Sequence, residues 1–146
     1  MKKLVALVFT ITLSIVGYSQ TKKVVDQSKY HGKFLSMIKE DKTDALLSIY
    51  HQKGFCRLVK TLYIDGECQW ARETSNDDEF LDVLKEIKEG LPNGMTLTPS
   101  KSVYESLANE HYTDKWQYVN RFGQECEVVV YFVDGLLNNL GYWVYK

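Results

Sequence analysis

The sequence has little of what cross-links or stiffens a chain. It contains two prolines and three cysteines among 146 residues, so at most one intramolecular disulfide can form. Acidic and basic residues are nearly balanced, at 19 and 18, and they are dispersed along the chain. Because there is no basic stripe, nucleic-acid binding is not indicated.

Motifs for catalysis, metal binding and nucleotide binding are also missing. His31, His51 and His111 are scattered, and none has a second ligand-type residue at the spacing of a metal site. Residues 90–94 contain Pro92 and lack the lysine of a phosphate-binding loop. We therefore expect no enzyme activity, no bound metal and no cofactor.

Long apolar runs are confined to the amino terminus. The basic pair Lys2-Lys3 precedes an uncharged run over residues 4–17, and Gly17-Tyr18-Ser19 has small residues at its first and third positions. These are the three parts of a secretory signal. We predict that residues 1–19 are a signal peptide and that the protein is exported as a soluble domain, periplasmic or secreted. Without a cysteine near residue 20 or a later apolar run of ~20 residues, neither a lipid anchor nor stable membrane insertion is expected.

Residues 20–146 are predicted to form a single α+β domain, with helices packed on one face of antiparallel sheet. The clearest helix covers 77–89, since Asn76 can cap it, acidic residues fill its first turn, and Gly90 and Pro92 end it. Further helices are predicted at 28–41 and 98–110. Strands are predicted at 45–51, which also fits a helix, and at 55–63, 67–73, 115–121, 124–132 and 136–145.

Glycines at the ends of predicted turns occur in two equally spaced pairs. Gly54 and Gly66 are 12 residues apart, as are Gly123 and Gly135, and the pairs are offset by 69. A glycine in third place suits a three-residue hairpin loop, because it accepts a positive φ. The spacing favours two helix–three-strand units in tandem, at residues 28–73 and 98–145, joined by the helix at 77–89.

The last three predicted strands have two different faces, because three-residue loops put residues of equal parity on one face. The even-numbered face is nearly all apolar, including Leu136, and is predicted to pack on the helices. The odd-numbered face, including Leu137, mixes aromatic with charged side chains, which is typical of partner-binding surfaces. We predict that a protein binds there, through Val129, Tyr131, Trp143 and Tyr145.

Disulfide pairing among the three cysteines stays open. In the predicted register, Cys56 and Cys68 lie several residues apart along paired strands, too far for a bond at ~3.3 Å per residue. If a disulfide forms, one partner is expected to be Cys126. The same register puts Cys68 on one side of the first sheet with Trp70.

Short motifs in the second half resemble those of a known family. Gly94-Met95-Thr96 precedes the predicted helix at 98–110, Trp116-x-Tyr118 lies in a strand, and Phe132-x-x-Gly135 closes a hairpin. This arrangement, over about residues 77–145, resembles the BamE-like (SmpA/OmlA) envelope modules. Two such units in tandem resemble β-lactamase-inhibitor proteins. The resemblance implies a non-enzymatic module that binds protein.

The sequence thus favours an exported protein-interaction domain, active in envelope assembly or in inhibitor-like binding. Its partner is not identified by any motif. Two alternatives remain. One is a small hydrolase, either thiol-dependent, with a cysteine and a histidine, or of another kind. The other is a carrier that holds a small ligand in the cup between helices and sheet.

Overall fold

The computed structural model describes residues 30–51, 57–106 and 108–146, with backbone only at 49–51. The predicted signal peptide lies outside these residues. The described residues form three helices and six strands. The helices are α1 (Phe34–Lys39), α2 (Thr43–His51) and α3 (Asp77–Gly90). The strands are β1 (Arg57–Ile64), β2 (Glu67–Thr74), β3 (Lys101–Ser106), β4 (Glu110–Val119), β5 (Glu125–Val133) and β6 (Leu136–Tyr145).

The strands belong to one mixed sheet in the order β2-β1-β6-β5-β4-β3, so the domain is α+β. Strands that are adjacent in this sheet and consecutive in the chain pair antiparallel. β1 and β6 pair in parallel, from Arg57 opposite Asn139 to Tyr63 opposite Tyr145. This parallel pairing joins the hairpin β1–β2 to the meander β3–β6. No helix within the described ranges is long and apolar enough to cross a membrane.

The buried apolar side chains form one core to which all three helices contribute. Leu35 of α1, Leu46 of α2, and Phe80 and Ile87 of α3 are at most 1% exposed. Complete burial of such a side chain stabilises the fold by about 1.5–3 kcal/mol. The buried apolar side chains of β4–β6 are even-numbered, as predicted, with the exchange of Leu137 for Leu136. The strands contribute Leu58, Trp116, Cys126, Val128, Val130, Phe132, Leu137, Leu140, Tyr142 and Val144.

The exchange, Leu137 for Leu136, follows from the turns. The prediction of three-residue loops was wrong for two hairpins, because Asp65-Gly66 and Asp134-Gly135 form two-residue turns. All four residues have positive φ, between 49° and 81°, which is the type I′ geometry that matches the twist of paired strands.

A bulge follows each of these turns on the second strand of the hairpin, where Gln69 and Asn138 are the extra residues, and the register shifts opposite Leu62/Tyr63 and Tyr131/Phe132. The two-residue turn pairs residues of opposite parity, and the bulge restores equal parity. Only the residues between turn and bulge therefore change face. Leu137 joins the core, and Cys68 lies opposite Tyr63 rather than on the side of Trp70.

Two predicted elements need comment on their type. Residues 45–51, for which strand and helix were both open, are helical in α2, where Leu46 packs into the core. Residues 101–106 form the edge strand β3 rather than part of a helix at 98–110, because their backbone pairs with β4. The second predicted unit therefore begins with a strand.

The other helices follow their local signals. The Asn76 side chain accepts hydrogen bonds from the backbone N–H groups of Asp78 and Glu79, at 2.9 and 3.3 Å, and α3 begins after it as predicted. Within residues 30–41, the first predicted helix, 28–41, is limited to α1. Its ends are set by Gly32 and Asp41, whose φ angles of 73° and 58° are incompatible with a right-handed helix.

Asp114 on β4 connects the turn before α1 to the sheet. It is 1% exposed, and its carboxylate accepts hydrogen bonds from the Gly32 N–H at 2.5 Å and from the Ser102 hydroxyl at 2.6 Å. Asp114→Ala should lower the free energy of unfolding by about 2–3 kcal/mol, because both donors lose a charged acceptor, and Ser102→Ala by about 1 kcal/mol. Urea unfolding measures both. Equal stability of the two variants would contradict this role.

Candidate functional site

The four predicted site residues lie together on adjacent strands. Val129 and Tyr131 belong to β5, and Trp143 and Tyr145 to β6. They alternate along these strands with residues of the core, so they lie on the face of the sheet that supplies no side chain to the core cluster. Tyr145 is 37% exposed, and the other three are partly exposed.

Tyr63 belongs to the same group, although it was not among the site residues predicted from the sequence. It lies opposite Tyr145 in the parallel pairing, and the two rings stack with centroids 4.9 Å apart and planes 12° apart. Such aromatic pairs contribute about 0.5–1.5 kcal/mol beyond the area they bury. No local pattern predicts a pairing between strands so far apart in the chain. We call Tyr63, Val129, Tyr131, Trp143 and Tyr145 the aromatic face.

Gly141 makes room for the Trp143 ring. A Cβ atom at Gly141 would overlap carbons of the six-membered part of the indole, so the ring lies directly over this glycine. Gly141 pairs with Val129 on one side and with Val59 on the other. The indole therefore rests on the sheet between two valines, and its position is fixed by the lack of a side chain beneath it.

Polar side chains frame the rings. Glu127 lies opposite Trp143 and is held by the Lys115 Nζ at 2.6 Å and by the Gln117 amide, which donates at 2.9 Å. At the other end of the face, the Tyr131 hydroxyl and the His111 Nδ1 form a hydrogen bond.

Tyr145 keeps its hydroxyl proton at neutral pH. Partial burial and the nearby Glu127 carboxylate raise the pKa of Tyr145 above its ordinary value. The face thus combines fixed rings with paired polar groups, which is the composition of a protein interface with its rim.

Comparisons with known proteins give no family for this chain. No protein-family model matches it, and no curated protein matches it in sequence. Among solved structures, one similar chain comes from "An enumerative algorithm for de novo design of proteins with diverse pocket structures". The two chains are 10% identical with a TM-score of 0.33, over 73% of this chain and 95% of that chain. A TM-score this low does not establish a shared fold.

The two described cysteines differ in exposure: Cys68 is exposed and Cys126 is buried. Cys68 and Cys126 are free thiols, so no disulfide joins them, and Cys56 lies outside the described residues. Burial raises the pKa of the Cys126 thiol, which lies 3.9 Å from the Tyr142 hydroxyl. A higher pKa leaves less of the reactive thiolate. Within the described ranges, no group of three or more His, Cys, Asp and Glu residues could hold a metal ion.

Gly141→Ala tests the position of the indole. The added methyl must displace the Trp143 ring, so the variant should lose about 1–3 kcal/mol of unfolding free energy. In a Trp143→Ala background the same change should cost much less, because the ring is gone. Urea unfolding of the four proteins in this double-mutant cycle measures the coupling. Additive effects would show that the indole does not occupy this place.

Alkylation rates test the thiols. At neutral pH, Cys126 should react with iodoacetamide at least about tenfold more slowly than Cys68, because its thiol is buried and its pKa is raised. Peptide mapping by mass spectrometry assigns each rate, and labelling in urea should remove the difference. Rapid native labelling of Cys126 would contradict this assignment and favour a thiol enzyme.

Proposed function

We propose that this chain is an exported, non-enzymatic protein-interaction domain, and that its partner docks on the aromatic face. In this proposal the helices cover one face of the sheet and leave the other accessible. The observation that supports it most is the group of four rings, Tyr63, Tyr131, Trp143 and Tyr145, that stands outside the core cluster. Aromatic side chains are enriched among the residues that dominate binding energy in protein interfaces.

The rings are held in place before any partner arrives. Tyr145 stacks on Tyr63, Trp143 lies over Gly141, and the Tyr131 hydroxyl is bonded to His111. Ordering a free side chain at an interface costs about 0.5–1.5 kcal/mol, and fixed rings avoid much of that loss. Preorganisation of this kind favours a specific protein contact over casual exposure of apolar residues.

Two earlier predictions agree with this role and remain predictions. A signal peptide at residues 1–19 would deliver the domain to the periplasm or the medium, where envelope assembly factors and secreted enzymes are available as partners. The resemblance to BamE-like modules and to β-lactamase-inhibitor proteins implies a binding role of the same kind. The thiol-hydrolase alternative gains nothing from Cys126, whose pKa is raised by burial.

A quantitative pull-down tests the proposal. The chain is immobilised and exposed to an envelope extract, and captured proteins are quantified by mass spectrometry. Trp143→Ala/Tyr145→Ala should reduce recovery of a specific partner at least about tenfold, as expected when two hot-spot rings are removed. Circular dichroism shows whether the variant keeps the fold.

Two exposed aromatic residues elsewhere provide a matched control. Tyr104 on β3 and Phe122 in the β4–β5 loop are 57% and 63% exposed, and neither belongs to the aromatic face. Tyr104→Ala/Phe122→Ala should capture the partner as the unmodified chain does. Equal recovery by both double variants would refute the aromatic face as the binding site. Unfolding of Trp143→Ala/Tyr145→Ala would show that these rings are core residues instead.

A further inference from the structure

A cavity of about 640 Å³ opens among the three helices and the β4–β5 loop. Its floor is apolar. Ile38, Leu46 and Leu84 are 4%, 1% and 5% exposed, and Leu81 lies beside them partly exposed. The volume falls within the ~300–1,000 Å³ that small-molecule sites occupy, and such sites are lined mainly by apolar side chains with a few polar groups.

The mouth of this cavity carries more positive than negative charge. Lys88 lines it and forms an ion pair with Asp41. Lys85 and Arg121 also line it, and neither forms an ion pair with a carboxylate among the described residues. Of the two acidic residues in the lining, Asp41 is paired with Lys88, and Glu89 has no ion pair among the described residues. The chain as a whole has a formal charge of −1, so this local excess of cations is not a general property of the surface.

A backbone hydrogen bond connects Arg121 to the carboxyl end of α3. The Arg121 N–H donates a hydrogen bond of 2.9 Å to the Gly90 carbonyl at the end of α3. The β4–β5 loop is itself closed by the Asn120 side chain, which accepts from the backbone N–H groups of Phe122 and Gln124. Lys85 and Arg121, which both line the cavity, therefore belong to two elements whose backbones are connected, α3 and the β4–β5 loop.

We propose that this cavity binds a small amphipathic anion. Its apolar tail contacts Leu46, Leu81 and Leu84, and its carboxylate or equivalent head group lies between Lys85 and Arg121. Each Å² of apolar surface that the tail removes from water contributes about 25 cal/mol. The two cations select an anionic head over a cationic one. The site shares no residue with the aromatic face, so it does not depend on the proposed protein partner.

Calorimetric titration with dodecanoate below its micelle concentration tests the site. The full chain should bind it at one saturable site, and dodecyltrimethylammonium, with the same tail and the opposite charge, at least about tenfold more weakly. Lys85→Glu/Arg121→Glu should weaken dodecanoate binding by about tenfold or more. Both side chains are exposed, so the fold should persist, as circular dichroism can verify.

Three comparisons make the result specific. Lys33→Glu/Lys101→Glu makes the same change of charge at exposed positions outside the cavity lining and should leave binding unchanged. Leu81→Trp should fill the cavity and abolish binding. Vesicles of anionic lipid should not be bound in place of the monomer.

The proposal fails if dodecanoate shows no saturable binding, or if the two surfactants bind equally. It also fails if Lys85→Glu/Arg121→Glu keeps the affinity of the unmodified chain. Binding to anionic vesicles without binding to monomeric dodecanoate would overturn it in favour of a membrane-surface contact.

Discussion

The parallel pairing of β1 with β6 is the contact on which the rest of the structure depends. An isolated two-stranded hairpin is marginally stable in water, so β1–β2 needs the meander beside it. Parallel strands require a long connection, and here the connection from β1 to β6 contains β2, α3 and the strands β3–β5. The pairing brings Leu58 opposite Leu140 in the core and Tyr63 opposite Tyr145 on the other face. One contact thus completes both the core and the aromatic face.

Local signals predicted the parts of the fold that local geometry determines. The Asn76 cap and the acidic first turn defined α3, and the alternation of apolar residues identified the buried side of β4–β6. The helix predicted over 101–106 was wrong, and 45–51 stayed open between strand and helix, because short segments fit either period. For 45–51 the deciding factor is the burial of Leu46 in the core, and for 101–106 it is the availability of a strand edge, that of β4. Such availability is a property of the completed sheet.

At the two Asp-Gly turns, two departures from the predicted strand register cancel each other. Each type I′ turn reverses the parity of pairing, and each bulge restores it beyond the residues next to the turn. The predicted faces of Val129, Tyr131, Trp143 and Tyr145 were therefore right although the loop lengths were wrong. The shared hairpin geometry, which requires positive φ at both positions, explains why Asp-Gly recurs at the two turns. Where the second predicted unit was expected to begin with a helix, the structure has the strand β3.

The side chains of the aromatic face also stabilise the sheet to which they belong. Tyr63 and Tyr145 stack at the end of the parallel pairing, and Trp143 lies between Thr61 and Glu127 in the same row of the sheet. Thr61 lies on this face and is only 4% exposed, so the side chains around it, opposite Trp143, already shield it from water. A substitution that removes a ring must therefore weaken strand pairing as well as any contact with a partner. Binding defects at this face carry information about recognition only when the β1–β6 pairing is shown to survive the same substitution.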